Sequence, residues 1–289
     1  MSPLDSVNLV ALMQRTSGIA DVKIALIDGP VAIDNPGLNA HRISEISGSN
    51  TGYCRQADSV ACQHGTFVAA ILAARRGSSA PAICPECSLL VRPIFAETVT
   101  GSDGMPSATP EVLAKALLES IAAGARVVNL SLGLAHLTSA GANSLKQALD
   151  VAAHRDVLTV SAAGNQGTVG SSSLTRHPWV IPVAACDESG VPLPESNLGG
   201  SIGRNGFCAP GDRIVSLGST GQSITSRGTS VAAPFVTGAI ALLWSEFPSA
   251  SASQIKNALR QSAPSRRPSI VPPLLNAWAA YQYLERHGA

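Results

Sequence analysis

The sequence predicts an α/β protein built on a doubly wound, mostly parallel sheet with helices on both faces. Short apolar runs rich in β-branched residues alternate with longer segments of helical periodicity, the pattern of strands buried on both faces. The 289 residues are 45% hydrophobic, enough for one large core. No linker or internal repeat interrupts the alternation. We therefore predict a single domain over residues 1–289, with residues 1–20 as an N-terminal helical extension.

Strands are predicted where a short apolar run is stopped by a turn signal. Residues 22–30 are the clearest case, because the run ends in Asp28 and is followed by Gly29 and Pro30. Further strands are predicted at residues 88–94, 126–131, 157–162, 180–185 and 213–216.

Helices are predicted where apolar residues recur at helical spacing. His64 is expected to open one helix, and Ser230 lies at the start of another. Pro234 in that second helix is expected to be tolerated, because the first turn has no intrahelical acceptors for its N–H groups. The predicted helices cover residues 4–15, 64–74, 110–124, 139–154, 229–247, 253–263 and 275–285.

Charge and hydropathy exclude several classes of partner. Charged residues make up 13% of the chain and the net charge is +1, so we expect no nucleic acid partner. The apolar stretches are shorter than a membrane span, so we expect no membrane partner. The first residues lack the basic and apolar regions of a signal peptide, which predicts a cytoplasmic location.

The six cysteines are too few for a disulfide scaffold in a chain of this length. Cys84 and Cys87 have CxxC spacing, but the other four cysteines do not form a second such pair, which weakens a zinc site. Buried thiols and one or two disulfides are the other interpretations, and the sequence leaves all of them open. The cysteines are Cys54, Cys62, Cys84, Cys87, Cys186 and Cys208.

Four polar residues occur where a parallel sheet places its sites, at the carboxyl ends of strands and the amino ends of helices. They are Asp28, His64, Asn165 and Ser230. Acyl transfer needs a nucleophile, a base, a carboxylate that orients the base and a donor for the oxyanion. Each residue alone is explained by an Asx turn, a helix cap or a left-handed turn. Together they match the parts that acyl transfer requires.

At these residues the sequence resembles the subtilisin-like serine proteases, the subtilases of peptidase family S8. The resemblance implies a subtilisin-like fold and a serine endopeptidase in which Ser230 is the nucleophile, His64 the acid and base, and Asp28 the residue that orients the ring. It also implies that Asn165 and the Ser230 backbone N–H donate to the oxyanion. The matching windows are Ile27-Asp28-Gly29, His64-Gly65-Thr66, Ala163-Gly164-Asn165 and Gly228-Thr229-Ser230-Val231-Ala232-Ala233-Pro234.

The resemblance further implies a peptide substrate bound as an added strand. The two walls of its binding groove would be Ser131-Leu132-Gly133 and Ala162-Ala163-Gly164. Residues 166–178, which shape the S1 pocket in the family, look shortened here. His136, His154 and His177 are expected at the surface.

Two features differ from the common family pattern. Residues 74–81, at the position of the family's calcium loop, carry two arginines and no carboxylate or Asn, whereas calcium prefers oxygen ligands. We therefore expect no metal there, and no cofactor. The 27 residues before Asp28 are too few for the family's usual inhibitory pro-domain.

Residues 26–31, 61–66 and 92–96 resemble a narrower group, the cyanobactin-maturation proteases, which cut, or cut and cyclise, ribosomally made precursor peptides. The cyclising members carry a helical insertion between the Asp strand and the His helix, whereas His64 follows Asp28 by 36 positions here. The resemblance thus implies hydrolysis of a precursor peptide. The alternatives are a transpeptidase or macrocyclase that uses the same triad, and a catalytically dead peptide-binding scaffold.

Overall fold

A seven-stranded sheet forms the centre of the molecule, and all its neighbouring strands are parallel. The computed structural model describes residues 2–46, 53–95, 97, 108–131, 139–263 and 269–288, with the backbone alone for residues 139 and 140. The strands are β1 (Lys23–Asp28), β2 (Ile43–Glu45), β3 (Ser88–Pro93), β4 (Val127–Leu130), β5 (Leu158–Ala162), β6 (Val180–Cys186) and β7 (Phe207–Pro210). Their order is β2-β3-β1-β4-β5-β6-β7. A separate antiparallel pair joins β8 (Ile214–Leu217) to β9 (Ser223–Ser226).

Helices cover both faces of the sheet, because alternate residues of each strand point to opposite sides. In β1, Ile24 and Leu26 belong to the larger apolar cluster, and Ala25 and Ile27 to the other. Helices α2, α3, α8, α9 and α10 contribute to the larger cluster. The second cluster is built mainly on α4 and α5, with Ala61 of α3 and Leu174 of α6. The helices are α1 (Pro3–Ser6), α2 (Leu9–Arg15), α3 (Val60–Ala73), α4 (Pro110–Ala122), α5 (Ser139–His154), α6 (Ser173–Arg176), α7 (Gly200–Asn205), α8 (Thr229–Glu246), α9 (Ala252–Gln261) and α10 (Ala277–His287).

The predicted fold class is confirmed, with differences in individual elements. Asn8 adopts a left-handed conformation, with φ of 54°, and so divides the predicted N-terminal helix into α1 and α2. Helix α3 begins at Val60, because the Ser59 side chain caps it by accepting the N–H of Cys62. His64 therefore lies in the second turn and does not open the helix. No described helix has both the length and the apolar content needed to cross a membrane.

The position of Pro234 also differs from the prediction. It is the sixth residue of α8, beyond the first turn. Proline has no N–H, so the carbonyl of Ser230 four residues earlier lacks its usual helical partner. This carbonyl instead accepts a hydrogen bond from the Ser131 hydroxyl at 2.8 Å. The proline thus leaves a free acceptor on the residue predicted to be the nucleophile, and the segment after β4 satisfies it.

The loop after α3 is held by an arginine. The guanidinium of Arg76 donates to the carbonyls of Met13 and Thr16, at 2.6 and 2.9 Å, and to that of Ile83 at 3.3 Å. Met13 lies in the last turn of α2 and Thr16 is its C-cap, so the cation meets carbonyls that have no intrahelical partner and the negative end of the helix dipole. Arg76 therefore joins the N-terminal helices to this loop.

We predict that Arg76→Ala lowers stability by about 1–2 kcal/mol, since charge-assisted hydrogen bonds to carbonyls are lost. Thermal unfolding should show a decrease in Tm of roughly 2–6 °C. The control Arg260→Ala, at an exposed position near the end of α9, should change Tm little. EDTA should leave the Tm of the unchanged chain as it is, because we expect no calcium in this loop. A large EDTA effect, or equal Tm values for the two variants, would contradict this account.

Candidate active site

Asp28, His64 and Ser230 come together at the carboxyl edge of the sheet. His64 Nδ1 lies 2.7 Å from Asp28 Oδ1, and His64 Nε2 lies 3.1 Å from Ser230 Oγ. Asp28 is completely buried, and the His64 side chain is 12% exposed. The ring therefore links a buried carboxylate to a serine hydroxyl, an arrangement that can transfer a proton from the hydroxyl.

Close packing of α3 on the end of β1 brings His64 to Asp28. A Cβ atom at Gly65 would lie 2.5 Å from the carbonyl oxygens of Gly29 and Pro30. A Cβ atom at Gly29 would lie 2.0 Å from the carbonyl oxygen of Ala61. Both positions require glycine, because the two backbones are in contact there. The N–H of Gly29 also donates to Asp28 Oδ1 at 2.6 Å and fixes the carboxylate against the ring.

A chain of buried hydrogen bonds holds the backbone of Ser230. The Ser131 hydroxyl, which donates to the Ser230 carbonyl, accepts from Asn129 Nδ2 at 2.8 Å. Asn129 Oδ1 in turn accepts from the Thr237 hydroxyl at 2.8 Å. Asn129, Ser131 and Thr237 are all fully buried. They connect β4 to α8 through groups shielded from water, which favours one position for the start of α8.

Asn165 lies beside the start of α8, and its amide orientation is determined by its partners. Asn165 Oδ1 accepts from the Thr229 N–H at 2.8 Å and from the Thr229 hydroxyl at 2.9 Å. A backbone N–H can only donate, so the atom facing it is the amide oxygen. Within the described part of the chain Asn165 Nδ2 has no hydrogen-bond partner, and the residue is exposed. An amide donor is therefore available next to Ser230.

Comparison with known proteins identifies this arrangement. The model of the subtilase family matches residues 20–279. The chain belongs to the subtilase family. It is 30% identical to subtilisin DY of Bacillus licheniformis over 249 residues, 84% of each chain. A point mutant of the protease domain of PatA superimposes with a TM-score of 0.82 at 29% identity, covering 93% of this chain and 97% of that one. The prenylagaramide maturation protease PagA gives 0.79 at 28% identity, covering 96% and 98%.

As a member of this family, the chain is a serine endopeptidase. The structure describes four of the six residues that were predicted to bind the substrate. Ser131 is buried with its hydroxyl engaged at Ser230, so only its backbone remains for a substrate. Ala162 and Ala163 are both buried, at the end of β5 and just beyond it. Gly164, with φ of 105°, donates its N–H to the Thr229 hydroxyl at 3.1 Å. Leu132, Gly133 and His136 lie outside the described residues.

The cysteines divide into one disulfide and four buried thiols. Cys54 and Cys62 are bonded to each other, and Cys62 lies two positions before His64 on α3. The sulfurs lie near the carboxylate of Glu97, which accepts the backbone N–H groups of Arg55 and Gln56 at 2.9–3.0 Å. The disulfide and Glu97 thus fasten the segment before α3 next to the helix that carries His64. The free thiols are Cys84, Cys87, Cys186 and Cys208.

One predicted surface residue is buried, and several supporting residues were missed. His177 is only 8% exposed, and its Nε2 lies 3.1 Å from Asp150 Oδ1, so the prediction for it was wrong. His154 is exposed as predicted. Asn129, Thr229 and Thr237 were not singled out, because each is an ordinary polar residue whose contact with the site arises only on folding.

The pH dependence of activity follows from the environment of His64. Burial alone lowers the pKa of His64, but the charge of Asp28 and its hydrogen bond outweigh this, so the pKa lies above the ordinary 6.5. The ring must be neutral to accept a proton from Ser230, so kcat/KM should rise with pH through a midpoint above 6.5. In Asp28→Asn the carboxylate charge that raises the pKa of His64 is lost, so the midpoint of the kcat/KM profile should move to lower pH. Equal midpoints in rate measurements from about pH 5 to 9 would contradict this cause.

Proposed function

We propose that this subtilase hydrolyses a peptide bond of a ribosomally made precursor peptide, with Ser230, His64, Asp28 and Asn165 in the roles named above. The observation that carries the proposal is the likeness to PatA and PagA over more than nine-tenths of all the chains compared. PagA is a prenylagaramide maturation protease, so a protease that matches this chain over nearly its whole length acts in a maturation step. The distances around His64 support the catalytic part independently.

The geometry supports the following sequence of steps. Ser230 Oγ attacks the carbonyl carbon while His64 Nε2 takes the hydroxyl proton, and Asp28 stabilises the imidazolium. Asn165 Nδ2 and the Ser230 N–H stabilise the oxyanion. As the C–N bond breaks, His64 returns the proton to the leaving amine, and an acyl-enzyme ester remains. Water, deprotonated by His64, then attacks the ester carbonyl. As the ester C–O bond breaks, His64 gives the proton to Ser230 Oγ, and the acid is released.

Hydrolysis is favoured over cyclisation by the segment between Asp28 and His64. Its described part contains a 3-10 turn (Ala40–Arg42), the short strand β2 and the start of α3. The described residues of this segment contain no inserted pair of helices of the kind that the resemblance implies for the cyclising enzymes, and residues 47–52 lie outside the described part. We propose that water therefore reaches the acyl-enzyme. The substrate is proposed to extend as a strand between the segments after β4 and β5.

The test is the mass of the products from synthetic precursor-like peptides with varied residues around the cleavage site. We expect linear fragments from a narrow set of sites, absent with Ser230→Ala. Cleavage of most peptides would overturn the maturation role while leaving the protease. Head-to-tail cyclic products, which are 18 Da lighter than the linear acid because water is not incorporated, would overturn the preference for hydrolysis. Absence of any Ser230-dependent product from peptides of natural precursor length would overturn the proposal as a whole.

A further inference from the structure

One side chain holds the segment that presents Asn165. Asn197 Oδ1 accepts three hydrogen bonds, from the N–H of Gln166, the N–H of Thr168 and the hydroxyl of Thr168, at 3.0–3.1 Å. Asn197 Nδ2 donates to the carbonyl of Ala163 at 3.2 Å and to Gln166 Oε1 at 2.6 Å. We call residues 163–168 the oxyanion segment. Every one of these five bonds ends on it, on both sides of Asn165.

The orientation of the Asn197 amide is fixed by this set of partners. Two backbone N–H groups face Oδ1, and a backbone N–H can meet only an acceptor. Nδ2 consequently faces two acceptors, a carbonyl and an amide oxygen. The amide oxygen therefore meets only donors and the amide nitrogen only acceptors. No other side chain of the same shape provides an acceptor and a donor at these two positions.

The oxyanion segment needs such support, because its own sequence is permissive. Gly164 and Gly167 have φ values of 105° and 63°, and residues 165–168 are exposed. A Cβ atom at Gly164 would lie 2.3 Å from Asn197 Nδ2, so the amide packs directly on this glycine. The backbone continues the contact, since the Asn197 N–H donates to the Gly164 carbonyl at 2.9 Å.

Asn165 is thus held from two directions. Thr229 fixes the oxygen of its side-chain amide, and Asn197 fixes the backbone on either side of it. Its donor atom has to meet the oxyanion at hydrogen-bond distance, and a displacement of about 1 Å costs on the order of 100-fold in rate. We propose that Asn197 is a positioning residue for peptide hydrolysis and acts through Asn165. The inference rests on the proposed role of Asn165 and does not depend on the identity of the precursor.

The test is a double-mutant cycle on a hydrolysed peptide. Asn197→Ala should lower kcat by about 10- to 100-fold, with KM changed by less than about threefold. In an Asn165→Ala background the same substitution should change kcat by no more than about twofold, because the donor it positions is already gone. Asn257→Ala is the matched control, since this exposed Asn on α9 contacts only the Tyr283 hydroxyl among the hydrogen bonds of the described residues. It should leave kcat unchanged.

Asn197→Asp keeps the three accepting positions and loses both donating ones, so it covers the case in which the alanine variant fails to fold. Asn197→Asp should also lower kcat where Asn165 is intact, and should change it by no more than about twofold in the Asn165→Ala background. Equal losses in the two backgrounds, or unchanged kcat in both Asn197 variants, would overturn the proposal while leaving Asn165 as the oxyanion donor. If Asn165→Ala itself leaves kcat unchanged, the proposed role of Asn165 fails and this inference fails with it.

Discussion

Replacing Ser230 with alanine is expected to lower kcat for peptide hydrolysis by about a millionfold, the size of loss seen in subtilisin when its nucleophile is removed. The hydroxyl that lies 3.1 Å from His64 Nε2 is the only side-chain group of Ser230 that can form the ester. The hydrogen bond from the Ser131 hydroxyl to the Ser230 carbonyl does not use the Ser230 side chain, so the variant should fold normally. Initial rates and the Tm of both proteins test these two statements.

Ser245→Ala is the matched control, because Ser245 lies on the same helix, α8, and its hydroxyl donates to the Ala241 carbonyl within that helix. It should retain full activity. His64→Ala should cost about as much as Ser230→Ala, and the double variant should be no worse than either, because the two residues act as one unit. Additive losses would show that the two side chains act separately.

Replacing Asp28 with asparagine is expected to lower kcat by about ten thousandfold. Asp28 Oδ1 faces both the Gly29 N–H and His64 Nδ1, and the carboxylate is completely buried. The substitution keeps the shape but removes the charge that stabilises the imidazolium, and in a low-dielectric site that loss is large. It also permits the amide NH₂ to face Nδ1, which would favour the wrong tautomer of the ring.

Asp150→Asn provides the comparison, since Asp150 is also paired with a histidine, His177, at 3.1 Å. That pair lies between α5 and the end of α6, and the substitution should leave kcat unchanged. An equal effect of both substitutions would mean that general loss of stability, and not the charge next to His64, explains the result. Rates measured below each Tm separate these two cases.

The sheet could be predicted from sequence because its strands are buried on both faces and are therefore continuous apolar runs. Elements that depend on distant partners could not. Strand β7 has four residues. Its Cys208 donates its backbone N–H to the Pro273 carbonyl and accepts the N–H of Leu275 at its own carbonyl, and both partners lie far along the chain. Strand β9 (Ser223–Ser226) is polar and partly exposed, so no apolar pattern marks it. The break at Asn8 depends on one left-handed residue.

The four residues proposed to carry the chemistry could also be predicted. Each follows a strand or lies near the start of a helix, and each stands in a short sequence motif that the family shares. The residues that hold these four in place could not be predicted, because no sequence motif marks them and they come into contact only when the chain folds. Asn129 and Thr237 are 108 positions apart, and Asn197 is 31 positions from the Gln166 it binds. Pro234 was placed in the wrong turn, which concealed the free carbonyl that Ser131 satisfies.

We infer that His64 and Asp28 together activate Ser230 as a nucleophile. The most direct measurement is labelling with a fluorophosphonate, which bonds to an activated serine with loss of fluoride, followed by peptide mapping. We expect a single adduct on Ser230, with labelling rates far lower in His64→Ala and Asp28→Asn and unchanged in Ser245→Ala. An adduct on another serine, no adduct in the folded chain, or equal labelling in His64→Ala would contradict it.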